Sequence, residues 1–218
     1  MKFGLLLPHF GEHATRSAML DGAILAESYG FDSVWVRDHL AFEPHGELEK
    51  AERVLSEGSR LAESIPHIYL AVHAMLALAK LKLETGQVQD ARVAIMQAED
   101  SLERCEDAGM RWGVLSARLV LARAYKILGM TEKQTESVLA AAQLIEDGEE
   151  YGREEAYYYI SQLLPETSEY LEQRREAIEQ ARALIMRNAD GISDESQRQS
   201  FLSRDLHQKI LSATGHMQ

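Results

Sequence analysis

The sequence predicts a mainly α-helical protein, in which α–α hairpins stack into a short solenoid behind one strand–helix–strand (βαβ) unit. Three observations carry that prediction. The hydrophobic period changes near residue 47, from short apolar runs to helical spacing. Small residues recur at a step of 43 residues in the helical part. Gaps of two to six residues separate the helical segments, which implies antiparallel neighbours. The expected domains are therefore 1–46 and 47–218.

The elements follow in order. Phe3-Gly4-Leu5-Leu6-Leu7 is a short apolar run ended by Pro8, the pattern of a buried strand. Ala18, Leu20, Ala23, Ile24 and Ala26 keep helical spacing, and Gly30 stands where that helix should end. Ser33-Val34-Trp35-Val36 is a second β-prone run, so the two strands should be parallel with a right-handed crossover. Helices are then expected over Leu48–Ser64, Pro66–Thr85, Val88–Glu106, Arg111–Leu128, Glu132–Glu146, Arg153–Leu164 and Ser168–Asn188. Shorter ones are expected over Asp194–Ser203 and Asp205–Ser212. Gly86, Gly109 and Gly129 suit helix ends, Asp190-Gly191 marks a turn, and Thr131 with Gln134 reads as a capping box.

The repeat lies within this part. Ala79, Gly86, Ala91 and Ala98 are spaced 7, 5 and 7, and 43 residues on stand Ala122, Gly129, Gln134 and Ala141. Small residues at these offsets let helices approach closely, and the glycine closes the first helix of each hairpin. Related patterns begin at Ala51 and Ala177, so the phases 51, 91, 134 and 177 step by 40, 43 and 43. Each hairpin carries an apolar stripe it cannot bury alone, which is the reason to stack. Lys82 and Gln134 depart from the pattern, where an apolar and a small residue are expected, and the third hairpin lacks its inter-helix glycine.

Composition narrows the function classes. With 23 Lys+Arg against 35 Asp+Glu the formal charge is −12, which repels phosphate backbones and argues against nucleic-acid or anionic-membrane binding. A lone cysteine, Cys105, excludes an intramolecular disulfide and a cysteine-based zinc cluster. The longest apolar window, Leu70–Ala79, is interrupted by His73 and far too short for a membrane span. A cytoplasmic protein is expected. Phosphate-binding glycine loops and the Gly-x-Ser-x-Gly elbow are absent from the sequence. His9 and His13 flank Glu12, but Pro8 and Gly11 place them in a turn with no third ligand close in sequence, so no metal is assigned.

Met1–Gly46, with Lys2-Phe3-Gly4-Leu5-Leu6-Leu7-Pro8 and Gly30-Phe31-Asp32-Ser33-Val34-Trp35-Val36-Arg37-Asp38-His39, resembles the N-terminus of bacterial luciferase-like monooxygenases. Those are TIM-barrel oxidoreductases that use reduced flavin (FMN) or the deazaflavin F420. The resemblance implies that Asp38 and His39 correspond to the acidic–His pair at the active site, and that His9 lies in the loop at the first strand's active-site end. Asp38 and His39 would be catalytic, with His9 and His39 at the cofactor, in an enzyme completed by a partner chain or by oligomerisation. The match covers the first strand, helix and second strand of eight. A single βαβ unit cannot close a barrel mouth, so the expected function is non-catalytic and no cofactor is expected. A gene fusion would account for such a truncated start.

Residues 47–218 resemble tetratricopeptide-type helical repeats of the longer bacterial variety, and Arg198-Gln199-Ser200-Phe201-Leu202-Ser203-Arg204 through Ile210-Leu211 is similar to the closing segment of such regions. The resemblance implies a protein–protein interaction scaffold. Tyr157-Tyr158-Tyr159 is the candidate partner-binding segment. Successive helical residues point about 100° apart, so at least one ring should stand exposed or at an edge, where tyrosine is a favoured anchor. The partner is expected to be another protein, or a second copy of the chain paired through open strand edges.

Overall fold

The computed structural model describes residues 4–6, 16–30, 33–35, 48–64, 67–149 and 152–213. They are mainly helical, and the chain divides into two compact units, Met1–Gly46 and Glu47–Gln218.

In the first unit, strand β1 (Gly4–Leu6), helix α1 (Arg16–Ser28) and strand β2 (Ser33–Trp35) follow one another. The strands pair in parallel, with Gly4 opposite Ser33, Leu5 opposite Val34 and Leu6 opposite Trp35. At the C-terminal half of α1, Ala26 is buried while Ile24, Leu25 and Tyr29 are exposed.

The second unit contains helices α2 (Leu48–Ser64), α3 (Ile68–Glu84), α4 (Val88–Asp107), α5 (Arg111–Ile127), α6 (Thr131–Glu146), α7 (Arg153–Leu163), α8 (Leu171–Asp190), α9 (Glu195–Leu202) and α10 (Asp205–Ser212). Each packs on the next through α8, and α8 also holds α9 and α10. In addition α3 packs on α5, and α5 on α7. The small residues of the sequence repeat sit in these contacts. Ala79, Ala91, Ala98, Ala122 and Ala141 are all fully buried, because a larger side chain would hold the helices apart. Val72, Leu76, Val120 and Leu121 fill the core between α3, α4 and α5, and Leu119, Val138, Ile145 and Ile160 fill that between α5, α6 and α7.

The turns explain why helices of this length stop where they do. After α4, Gly109 adopts φ +65°, its N–H bonds to the Glu106 carbonyl, and the Met110 N–H reaches back to Cys105. After α5, Gly129 at φ +68° does the same with Lys126, and Met130 with Tyr125. These paired bonds satisfy the last carbonyls of each helix and need a left-handed residue that only glycine adopts at no cost.

Helix α7 ends differently. It lacks a terminal glycine, and Leu164 turns to an extended conformation before Pro165. Three successive carbonyls of its last turn are satisfied by side chains from three other helices. Arg174 of α8 donates Nε to Ser161 (2.8 Å), Lys126 of α5 donates Nζ to Gln162 (3.0 Å), and the buried Gln134 of α6 donates its amide to Leu163. The expected capping box is therefore not formed. Met130 holds the N-cap position with no side-chain cap, Thr131 is the first helical residue, and Gln134 is turned away toward α7. Two departures from the repeat, the missing glycine and the polar residue at 134, thus account for each other. The third departure is similar in kind: Lys82 is held between Glu52 of α2 (2.6 Å) and Asp90 of α4 (3.6 Å).

Gln134→Ala should lower stability by about 1–3 kcal/mol, the cost of a buried carbonyl left without a donor. Gln143→Ala, on the exposed side of the same helix, should stay within about 0.5 kcal/mol; denaturant titration of both distinguishes the two. A second expectation concerns Gly113 of α5, where a methyl group would overlap the buried Cys105 sulfur and touch Val72. Gly113→Ala should cost about 1–3 kcal/mol by overpacking. In a Cys105→Ala background the penalty should shrink by about 1 kcal/mol, measured as a double-mutant coupling.

Candidate functional site

The three tyrosines lie on α7, and each is partly buried. Tyr157 packs against both the α5–α6–α7 core and the core of α8 with α10, Tyr158 against the latter, and Tyr159 against the former. The helical twist thus spreads the rings over two cores, and each keeps an accessible edge. Tyr158 and Tyr159 lie against each other with ring centroids 5.4 Å apart.

Around this pair the helices bring charges that are distant in sequence. The guanidinium of Arg123 on α5 sits 4.7 Å over the Tyr159 ring and bonds Glu84 of α3 at 2.6 Å. Lys80 of α3 reaches Glu155 of α7 at 2.7 Å. From α10, Lys209 pairs with Asp205. That hydrogen bond raises the ammonium's pKa first of all, burial opposes it, and Asp205, Tyr158 and Glu84 add further upward pulls. Four helices, α3, α5, α7 and α10, therefore share one patch of alternating charge around two phenols. Burial pushes the Tyr159 hydroxyl up to about 12, against the opposing pull of Arg123, so it is a neutral donor at physiological pH.

An aromatic cluster lies on α3 and α5. His73 stacks on Trp112 at 4.2 Å and 18°, and Tyr69 closes on both, at 4.5 Å from His73 and 4.9 Å from Trp112. The Nε2 atom of His73 is buried without a hydrogen-bond partner. Burial lowers the pKa of this imidazole, and the positive field of Lys80 lowers it further.

Sequence reasoning singled out the tyrosines and missed Arg123, Lys80, Tyr69, His73 and Trp112. The 43-residue step held a signal for four of them. It carries Tyr69 to Trp112 and Lys80 to Arg123, pairing an aromatic with an aromatic and a base with a base, and the next step from each lands on a glutamate, Glu155 and Glu166. Asp38, His39 and His9 lie outside the described residues, as do Glu12 and His13.

Cys105 is fully buried, and burial, with Glu106 adding to it, pushes the thiol up to about 11, so a thiolate is not available at neutral pH. Among the described residues there is no group of three or more His, Cys, Asp or Glu able to hold a metal ion, and no helix is long and apolar enough to cross a membrane.

With its folded pKa depressed, His73 binds fewer protons in the native than in the unfolded state, so its contribution is intact above the unfolded value of about 6.5 and is lost as pH falls below it. Melting temperature should fall more between about pH 7.5 and about pH 5.5 in the wild type than in His73→Phe, which keeps the stack and cannot take up the proton. Equal slopes in the two proteins would remove His73 as the cause.

No protein-family model, no curated protein and no solved structure matches the chain, so the reading of its function rests on this geometry alone.

Proposed function

We propose that residues 47–218 form a tetratricopeptide-like helical-repeat module that binds another protein on the face built by α3, α5 and α7, without covalent chemistry. The observation that carries this reading is the gathering of Lys80, Glu84, Arg123, Glu155, Tyr158 and Tyr159 on one surface by helices that alternate along the chain. In a stack of hairpins the first helices of successive units lie side by side, and α3 with α5 and α5 with α7 are such neighbours. Tyrosine and arginine, paired and partly desolvated, are the residue types that anchor protein interfaces. On the same reading Met1–Gly46 is a βαβ barrel start without the strands that would close a flavin or F420 pocket, and no chemistry is assigned to it.

The test compares affinity capture by the intact chain, by Tyr158→Ala and by Leu139→Ala, an exposed residue on α6. A partner retained by wild type and Leu139→Ala and lost with Tyr158→Ala is expected, with circular dichroism and melting temperature of Tyr158→Ala close to wild type. Capture of the same proteins by all three chains would overturn the assignment of the surface. Sedimentation analysis of the same samples identifies the case in which the partner is a second copy, for which Tyr158→Ala should shift the mass toward monomer.

A further inference from the structure

We propose that the segment taken by this surface is basic: a Lys/Arg-rich stretch of a partner protein, whose cations meet Glu84 and Glu155 while their aliphatic stems lie on Tyr158. The inference rests on the protein-binding reading above and adds the chemistry of the partner. It comes from how the fold disposes its charges. In five ion pairs among the described residues the base is clearly the more buried partner, whereas in Lys80–Glu155, Lys82–Asp90, Arg104–Asp100 and Lys209–Asp205 the two are closer in exposure. Arg123 is 15% exposed and its partner Glu84 53%; Arg174 is 12% exposed and Glu166 85%. The same order holds for Lys82 with Glu52, Arg118 with Glu106, and Arg198 with Asp190.

The cause lies in what the cations do. Arg174 and Lys126 cap the end of α7, Arg111 donates to the Leu144 and Asp147 carbonyls at the end of α6, and Arg123 covers the Tyr159 ring. Their donors are spent on backbone carbonyls and on a ring of neighbouring helices, with the Arg174 bond partly buried and those of Lys126 and Arg111 at the surface. Carboxylates have no such duty in these pairs and remain at the water. Residues 47–218 carry 20 Lys+Arg and 29 Asp+Glu, a formal −9, and on this surface Glu84 stands further out than the Arg123 that pairs with it. A basic segment is the occupant complementary to such a face. The phenols make it selective for lysine and arginine over a diffuse cation cloud, since their rings attract cations and cover the stems.

The experiment uses the full chain and three fluorescein-labelled peptides of one length with leucines at the same positions. The remaining positions carry Lys/Arg, Glu/Asp or Ser/Gln, and binding is read by fluorescence anisotropy at low and at high salt. The basic peptide should bind saturably and more weakly as salt is raised. Glu84→Gln/Glu155→Gln should raise its Kd by roughly five- to tenfold. Glu106→Gln/Asp190→Gln, which removes the same charge from exposed positions on other helices, should change it less than about twofold. Melting curves confirm that each variant folds, and the single variants Glu84→Gln and Glu155→Gln should each give part of the effect.

Equal weakening by the two double variants would mean diffuse attraction and would overturn the proposal. Binding of the neutral or acidic peptide as tightly as the basic one, still weakened by Tyr158→Ala, would overturn the charge assignment and leave the binding surface standing. Absence of binding by all three peptides would overturn the basic partner, while the capture experiment decides separately whether the surface binds protein at all.

Discussion

The end of α7 is the constraint on which the second unit depends. A helix that stops before a proline without a glycine leaves its final carbonyls without local donors, and a buried one, like that of Leu163, is costly to leave unpaired. Here three donors come from α5, α6 and α8, so the end of this helix is tied to all three neighbours. The earlier helix ends, after α4 and α5, are closed locally by glycine and make no such demand. The result is a unit whose first turns are self-sufficient and whose third pair is bound to its predecessors through polar side chains.

The same duty explains the distribution of charge. A guanidinium or ammonium on a long stem reaches a carbonyl two helices away and still packs its methylenes, whereas a carboxylate cannot donate and is shorter. Capping of helix ends from a distance therefore falls to bases, and in pairs such as Arg123–Glu84 and Arg174–Glu166 the acid is the more exposed partner.

Much of the helical part was legible in the sequence because close packing demands small residues at fixed places. The alanines at 79, 91, 98, 122 and 141 are buried for that reason, and the predicted helix limits fall within a few residues of those found. The polar features were legible only as anomalies. Gln134 and Lys82 broke the repeat, and what they bond, the Leu163 carbonyl and the Glu52–Asp90 pair, depends on helices far away in sequence. Thr131 and Gln134 have the spacing of a capping box, but that local pattern lost to a buried carbonyl, which offers Gln134 a bond shielded from water. The tyrosines were visible as a run; their neighbours Lys80, Glu84 and Arg123 were not, because only the packing of α3, α5 and α7 makes them neighbours.

The ion pair between Lys80 and Glu155 carries this argument one step further. It joins α3 to α7 past the intervening α5, at 2.7 Å, with both side chains about one-third exposed. In water such a pair adds little to stability. Its value is geometric: the two residues meet only when α3 and α7 are both packed on α5. The surface around Tyr158 and Tyr159 is therefore a property of several helices and not of any one hairpin. Cutting the unit between α4 and α5 would open the core that α5 shares with α3 and α4 and would remove the patch, since Glu84 would lose Arg123 and Glu155 would lose Lys80. The cations that join these helices are therefore also the ones that set the charges around Tyr158 and Tyr159.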